Sequence, residues 1–324
     1  MTEPRVVTIV LCTYDRARML GAALDRLIAQ SEDSPAYEII LVDNNSSDDT
    51  RLVAERYTSS SARPVQYVFE PRQSLVHARN TGIAAARSDI IAFTDDDVCV
   101  TEDWVQVIKR TFDAHPEVDG LGGRTLPIWP SDPPAWLTRR HWVGPLALQD
   151  YGDEPFTVDA SRPLCLAGAN CAFRKDVFAR LGGFSPEFER SEDTEFLLRL
   201  WRSGGRALYV PDMKVFAAVQ PERLTKRYHR EWHSNIGRCN ARMQLPERTA
   251  SDGSVLPEVP PFARLSGVPR FAVRQLATEA LEWFKASARR SESEAFWHET
   301  QARTLVSYMR ESRARFLRKN RGWS

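Results

Sequence analysis

The sequence lacks the cysteine patterns that would assign it to a simple class. Its 324 residues include five cysteines, an odd number, scattered at Cys12, Cys99, Cys165, Cys171 and Cys239. No two of them have the short spacing of a zinc or redox motif. This argues against a disulfide scaffold and against a structural zinc site, and it favours a reducing compartment.

Long hydrophobic runs and an excess of one charge are also missing. No apolar run approaches the roughly 20 residues of a membrane helix, and the first residues have no signal-peptide pattern. Lysine plus arginine total 44 and aspartate plus glutamate total 43, so the net charge is only +1. Binding of nucleic acid through bulk charge is therefore not expected. We predict a soluble, cytosolic protein.

The chain does contain enough apolar sequence for a large core, with 42% hydrophobic and 10% aromatic residues. Four apolar runs rich in β-branched residues predict buried strands, and helical periodicity separates them. The runs are residues 6–11, 37–42, 65–69 and 90–94. This alternation predicts an α/β fold with a mostly parallel, doubly wound sheet flanked by helices. Such sheets bind ligands at the carboxyl ends of their strands.

The remainder of the chain is organised differently. Residues 127–163 hold many prolines and three tryptophans (Trp129, Trp136 and Trp142). We expect an ordered, functional loop whose tryptophans stack on sugar rings or on lipid, or else form a packed lid. A proline-rich stretch precedes two helical patterns, at about 270–288 and 292–319. We predict a catalytic domain over 1–245, a linker over 246–269 and a helical extension over 270–324.

The strongest chemical signal is Asp95, Asp96 and Asp97, directly after the fourth predicted strand. Three adjacent carboxylates repel one another unless a cation compensates them. Mg²⁺ prefers one or two carboxylates together with substrate phosphates. A solvated turn that precedes the next helix is the alternative. The position at a strand's carboxyl end favours a metal–diphosphate site.

Two further acidic positions gain weight from this motif. Asp43 ends the second predicted strand, where a carboxylate can accept hydrogen bonds from a base or ribose, although an Asx-turn is equally compatible. The acidic segment 189–193 opens a helix and includes Glu192 and Asp193. The helix dipole stabilises a carboxylate there as the anion, so Asp193 could take a proton from a hydroxyl nucleophile. Ordinary helix capping is the alternative.

In combination, these segments resemble the inverting family 2 glycosyltransferases with the GT-A fold. The matching segments follow one another in the family's order over about residues 5–240: 8–16, 39–46, 78–82, 92–97, 168–175 and 184–193. The resemblance does not extend to the last 80 or so residues.

The resemblance implies a nucleotide-sugar donor, expected to be a UDP-sugar, and a glycan or lipid-linked acceptor. Residues matching the family's donor and acceptor positions are Thr13, Tyr14, Arg16, Asp43, Arg79, Asp95, Asp96, Gly168, Asn170 and Glu192. Within that set Asp43 matches the base-reading aspartate, Arg79 an arginine of the nucleotide pocket, and Gly168 to Asn170 a turn near donor sugar and acceptor.

The family's chemistry is implied in the same way. Asp97 matches the residue that ligates Mg²⁺ or Mn²⁺ at the diphosphate, and Asp193 matches the general base. The cation stabilises the leaving group, and the base deprotonates the acceptor hydroxyl as it attacks from the opposite side. A single displacement then inverts the anomeric configuration.

One position departs from the family pattern. Family members often carry a metal-binding histidine where this chain has Phe216, Ala217 and Ala218. His229 and His233 follow one and two helical turns later. Either one substitutes as a ligand or both are packing residues; packing is the commoner role for such histidines.

Two other functions stay open at this level. A nucleotidyltransferase also binds nucleotides with acidic metal ligands, but it usually needs a glycine-rich phosphate loop, and residues 13–19 contain no glycine. A non-catalytic sugar-nucleotide-binding scaffold is compatible with the missing histidine.

The C-terminal extension has two interpretations. Its first helix has an apolar stripe at Val273, Leu276, Ala277, Ala280, Leu281 and Phe284. Its second has a looser stripe at Phe296, Thr300, Leu305, Tyr308, Met309, Phe316 and Leu317, and residues 303–321 carry seven basic residues against one acidic residue. We expect either a helical hairpin, packed on the catalytic domain or in a homodimer, or a basic amphipathic helix in peripheral contact with an anionic membrane.

Overall fold

A computed structural model of the chain describes residues 6–188 and 190–320. Glu189, in the predicted acidic segment, and Arg321, among the basic residues, therefore lie outside the described residues. The chain forms two compact units. The first contains the described residues up to Ile128 together with Leu148–Ala218, and the second contains Trp129–Ala147 and the described residues from Val219 onwards. The division into domain, linker and extension at residues 245 and 269 stays a prediction.

The first unit is built on one mixed sheet. Its strands, in chain order, are β1 (Val7–Thr13), β2 (Tyr37–Asp43), β3 (Val65–Phe69), β4 (Ile90–Asp95), β5 (Val98–Val100), β6 (Gly120–Ile128), β7 (Phe156–Val158), β8 (Asn170–Arg174) and β9 (Ala207–Ala218). They lie in the order β3-β2-β1-β4-β8-β6-β9-β5, and β7 pairs with β9.

The parallel pairing predicted from the sequence occupies one side of this sheet. Strands β3, β2, β1 and β4 are parallel neighbours, and β6 is parallel to β9. The other four pairings are antiparallel: β4–β8, β6–β8, β7–β9 and β5–β9. The α/β fold is thus confirmed, and its sheet is mixed because β5, β7 and β8 run opposite to the other six strands.

Helices cover this sheet with apolar faces. They are α1 (Ala17–Ile28), α2 (Thr50–Ser60), α3 (Leu75–Ala85), α4 (Trp104–Ala114), α5 (Lys175–Leu181) and α6 (Glu192–Arg202). Every residue of β1 and β2 is buried, which explains their continuous apolar sequence. Leu20, Leu24 and Leu27 of α1 recur every three or four residues, and all three are buried in the core.

The second unit is mainly helical. It contains α7 (Lys226–Met243), a short hairpin of β10 (Arg264–Leu265) and β11 (Val268–Pro269), α8 (Arg270–Ala288) and α9 (Glu292–Asn320). Within the described parts of the chain, no helix is both long and apolar enough to cross a membrane.

The core of the second unit is aromatic. Trp136 packs edge-on against His141, His229 and Phe296, with ring centroids between 4.7 and 5.7 Å apart. Phe296, together with Thr300, Leu305 and Tyr308, is buried, so the stripe predicted on α9 faces inward along most of its length. Of the two uses predicted for the loop tryptophans, the contacts of Trp136 therefore match packing.

Candidate active site

The candidate site begins where three parallel strands end. In the sheet register Thr13 at the end of β1 lies opposite Asp43 at the end of β2, and Cys12 lies opposite Asp95 at the end of β4. The parallel strands therefore bring the three sequence motifs to the same edge of the sheet.

The acidic motif is tied to the loop after β1. The Thr13 hydroxyl donates to Asp96 Oδ2 at 2.7 Å. The Arg16 guanidinium reaches Asp96 Oδ1 at 2.6 Å and Asp97 Oδ2 at 3.0 Å. Thr13 and Arg16, which match donor or acceptor positions of the family, thus contact the acidic motif directly. The side chain of Tyr14 itself is exposed.

Arg79 connects this motif to helix α6. The arginine is buried, and its Nη1 donates to Glu192 Oε1 at 2.8 Å while Nη2 lies 3.4 Å from Asp95 Oδ1. One guanidinium therefore holds together the end of β4 and the helix that carries Asp193. Burial raises the pKa of Glu192 to about 7, Arg79 opposes the rise and Asp193 adds to it.

Gly168 is a glycine because Arg79 lies against it. A Cβ atom at this position would lie 2.5 Å from both terminal nitrogens of the guanidinium. Those nitrogens already form ion pairs with Glu192 and Asp95, so the guanidinium cannot move aside without losing one of them.

Asn170 supports the site from within the sheet. Its side-chain nitrogen donates to the carbonyls of Arg124 and Met213 at 2.8 and 2.9 Å, and its oxygen accepts from Trp104 Nε1 at 2.9 Å. These contacts join β6, β9 and α4. The side chain of Asn170 is thereby engaged in positioning these elements, and the role of Trp104 was not apparent from the sequence.

Asp193, the predicted base, lies in the first turn of α6 and is half-buried. Its Oδ1 accepts from the Thr194 amide at 2.6 Å, and its Oδ2 lies 3.7 Å from the Cys165 sulfur. Burial, followed by the charge of Asp193, raises the pKa of the Cys165 thiol well above its usual range, which keeps it protonated as a donor. Cys165 could not be assigned to the site from the sequence, because it lies 28 residues from Asp193 and belongs to no motif.

Asp43 has two local donors. Its Oδ1 accepts from the Ser46 amide at 2.9 Å, the turn that the sequence allowed as an alternative, and its Oδ2 accepts from the Tyr67 hydroxyl at 2.8 Å. The carboxylate is buried and fixed in orientation. Tyr67, on β3, is a third residue, after Trp104 and Cys165, whose contact with the site was not predicted.

The donor set of the acidic motif fits a hard divalent cation shared with a substrate. Burial raises the pKa of Asp95 and brings that of Asp96 to about 6, although Arg79 and Arg16 oppose these shifts. The two arginines thus leave part of the acidic charge uncompensated, and carboxylate oxygens are the ligands that Mg²⁺ and Mn²⁺ prefer. No group of three or more His, Cys, Asp or Glu side chains that could hold a metal ion comes together among the described residues.

The position of the missing histidine lies beside this motif. Ala217 pairs with Val98 across β5 and β9, and the Ala218 amide donates to the carbonyl of Asp97 at 3.1 Å. No imidazole is therefore supplied from this part of β9. His229 and His233 are buried in the second unit, where they contact the Arg223 carbonyl and the Thr304 hydroxyl; these contacts match the packing interpretation.

An α/β sheet with an acidic motif at the end of a central strand is the architecture of the GT-A glycosyltransferases, and solved structures of that fold match this chain. The family model described as "Glycosyl transferase family 2" matches residues 8–182. The chain belongs to this family.

Two curated relatives are similar over part of their length. Glucosyl-dolichyl phosphate glucuronosyltransferase from Haloferax volcanii is 23% identical over 58% of this chain and 58% of its own length. Polypeptide N-acetylgalactosaminyltransferase 11 from Xenopus tropicalis is 29% identical over 65% of this chain and 37% of its own length. The chain thus spans about two to three fifths of the lengths of these two relatives.

Two solved structures share the fold over most of the chain. The mannosyltransferase PcManGT from Pyrobaculum calidifontis, in complex with GDP-Man and Mn²⁺, has a TM-score of 0.63 at 19% identity and covers 95% of this chain and 88% of its own. TarS 1-349 from S. aureus, in complex with UDP-GlcNAc, has a TM-score of 0.54 at 15% identity and covers 98% and 92%. At these identities the likeness establishes the fold.

Proposed function

We propose that this chain is an inverting glycosyltransferase that moves a sugar from a nucleoside diphosphate sugar to an acceptor hydroxyl. The observation that carries this proposal is the bridge made by Arg79. Arg79 contacts Asp95 of the acidic motif and Glu192 of α6, the helix that carries the proposed base. The motif and the base are therefore proposed to belong to one site. A site for the leaving diphosphate and a proton acceptor are what a single displacement requires.

Asp193 is the proposed base. Its Oδ1 is held by the Thr194 amide, which fixes the orientation of the carboxylate. Its Oδ2 is then the oxygen that takes the acceptor's proton. The Cys165 thiol beside Oδ2 is a weak donor, so it orients the oxygen without neutralising its charge.

Asp97 and Asp95 are the residues that would hold Mg²⁺ or Mn²⁺. When bound, the cation supplies charge stabilisation to the departing nucleoside diphosphate. Arg16 contributes positive charge at the same motif through its contacts with Asp96 and Asp97. Thr13 and Asp43 would position the nucleotide at the ends of β1 and β2.

The donor is proposed to be a UDP- or GDP-sugar. The support for this is the pair of solved neighbours whose complexes contain GDP-Man and UDP-GlcNAc. A lipid-linked acceptor is supported by the name of the Haloferax volcanii relative, which gives a dolichyl phosphate glycolipid as its substrate. A glycan acceptor is the alternative.

Product analysis with a panel of sugar nucleotides tests this proposal against the other two. A glycosyltransferase releases a nucleoside diphosphate in an acceptor-dependent manner. A nucleotidyltransferase, given a sugar phosphate and a nucleoside triphosphate, releases pyrophosphate instead. A scaffold raises its melting temperature with a sugar nucleotide, because ligands that bind only the folded state stabilise it, but releases neither product.

A further inference from the structure

The apolar stripe predicted on the first C-terminal helix faces outward in the structure. Val273, Leu281 and Phe284 of α8 are 47%, 53% and 65% exposed, and Trp283 is 45% exposed. At 3.6 residues per turn, Val273, Ala277, Leu281 and Phe284 fall on one side of the helix. The opposite side of α8, with Ala272 and Ala286 buried, packs inward. An exposed apolar face of this kind marks an interaction surface.

The charges of α8 are arranged asymmetrically around that face. Arg270, Arg274 and Lys285 lie along one flank of the apolar stripe at helical spacing. Of the two acidic residues, Glu279 contacts His298 of α9 at 2.8 Å, whereas Glu282 pairs with Lys285 at 2.7 Å. Arg270 and Arg274 are therefore the basic residues that the flank presents. The face thus combines aliphatic and aromatic side chains with a basic edge, which is the composition of helices that lie in a membrane interface.

We propose that this face of α8 docks on an anionic membrane surface. The acyl-chain boundary of such a membrane buries the apolar side chains, and its anionic headgroups compensate the charge of the basic flank. A second copy of the chain fits less well. The same face of another α8 offers an apolar stripe but no free carboxylate to compensate Arg270 and Arg274, since Glu279 and Glu282 are both already paired.

This inference differs from the membrane contact expected from the sequence, which assigned that role to α9. Much of the basic charge of α9 is engaged within its own unit. Arg303 pairs with Glu299 at 2.9 Å, Arg318 with Glu311 at 3.2 Å, and Arg315 donates to the carbonyl of Arg242 at 2.8 Å. Phe316 and Leu317 near the end of α9 are exposed, but the inward-facing stripe from Phe296 to Tyr308 and these contacts favour α8 as the membrane-facing surface.

Vesicle co-sedimentation tests the proposal, with phosphatidylcholine vesicles that contain or lack phosphatidylglycerol. The full chain should pellet with the anionic vesicles at low salt and detach at high salt. Leu281→Ser/Phe284→Ser should weaken binding at least about tenfold, because both side chains would otherwise be buried in the interface. Arg270→Ser/Arg274→Ser should weaken it about thirtyfold at low salt. These positions are exposed, so the circular dichroism spectra should be unchanged.

Arg310→Ser/Arg313→Ser on α9 is the matched control. Both side chains are exposed, and the variant loses the same net charge at another place. It should change binding by less than about threefold. An equal loss in the two arginine variants, or equal pelleting of the wild type with neutral and anionic vesicles, would overturn the proposal.

The solution mass of the same proteins covers the remaining alternative. A wild-type dimer that becomes monomeric in the Leu281→Ser/Phe284→Ser variant, without vesicle binding, would assign the face to a second copy and contradict membrane docking. The assay contains no sugar nucleotide and the substitutions lie outside the proposed active site. Its failure is therefore distinguishable from failure of the proposed glycosyl transfer, which is measured with a soluble acceptor.

Discussion

At the residue scale, the site depends on one buried guanidinium, that of Arg79, which two carboxylates share. Arg79 faces both Asp95 and Glu192, and burial alone would favour protonation of both carboxyls. A single positive charge cannot fully compensate two carboxylates, the buried Glu192 and the half-buried Asp95. A site of this kind gains from additional positive charge supplied with the substrate, which accords with the proposed cation–diphosphate complex.

Asp193→Asn tests the role of the base. Asparagine keeps the shape of the side chain but cannot accept a proton, so transfer should fall by about 10²–10⁴-fold. Titration calorimetry with the donor should give near-wild-type affinity. Transfer within a few-fold of wild type would mean that another group takes the proton.

Gly168→Ala tests the contact between the turn and Arg79. The added Cβ would overlap the guanidinium, which Glu192 and Asp95 hold in place. We expect a loss of stability of about 1–3 kcal/mol together with reduced transfer. Thermal or urea unfolding and initial rates measure the two effects.

Gly21→Ala in α1 is the matched control for that substitution. Its nearest neighbour would be the Tyr57 hydroxyl at 3.5 Å, an ordinary contact. Alanine in a helix interior should stabilise the protein by about 0.5–1 kcal/mol. Equal effects of the two substitutions would show that Arg79 yields without cost.

At the scale of the elements, the histidines joining α7, α9 and the 129–147 segment make the second unit sensitive to acid. Burial lowers the pKa of His141 and His229 to about 4 and that of His233 to about 3. A depressed folded-state pKa gives stability that is complete above the unfolded value, near 6.5, and is lost as the pH falls through the folded value.

We therefore predict that the second unit loses stability between pH 6.5 and about 4, as seen in the near-ultraviolet dichroism of Trp136 and its neighbours. His229→Phe keeps an aromatic ring and should reduce the slope of stability against pH by up to about 1.4 kcal/mol per pH unit. A slope insensitive to His229→Phe would contradict the assignment.

The elements also show which parts of the fold the sequence could predict. Strands β1, β2 and β4 were predictable because continuous β-branched runs are buried on both faces. Strand β3 was predicted from the same kind of run, but it is only half-buried and ends at the exposed Phe69. The predicted C-terminal helices agree with α8 and α9 to within a residue. The antiparallel insertion of β8 between β4 and β6 was not predictable, because Asn170–Arg174 is short and its pairing partners are remote in sequence.

The same limit applies to the site. Motifs at strand ends could be grouped because parallel strands end at one edge of the sheet. Arg79 contacts Glu192 across 113 positions of the sequence. The Cys165 thiol, which lies beside Asp193, belongs to no motif. Such contacts depend on tertiary packing, which local patterns do not encode.

At the scale of the whole molecule, we propose that the acidic motif Asp95–Asp97, at the carboxyl ends of the parallel strands, supports cation-dependent sugar transfer. Asp97 is the proposed cation ligand, so Asp97→Ala tests this proposal. Asp212, an exposed aspartate on β9 of the same unit, is the site of the matched control, Asp212→Ala. Removing a carboxylate ligand leaves the charge of the departing diphosphate uncompensated, and removing an exposed surface carboxylate does not.

The most direct test is acceptor-dependent release of nucleoside diphosphate from a panel of UDP-, GDP- and dTDP-sugars, with Mn²⁺ or Mg²⁺ and after treatment with EDTA. We expect release by the wild type and by Asp212→Ala with added cation, loss after EDTA, recovery when Mn²⁺ is restored, and no release by Asp97→Ala under any condition. Undiminished release after exhaustive EDTA treatment, or wild-type release by Asp97→Ala, would contradict the proposal.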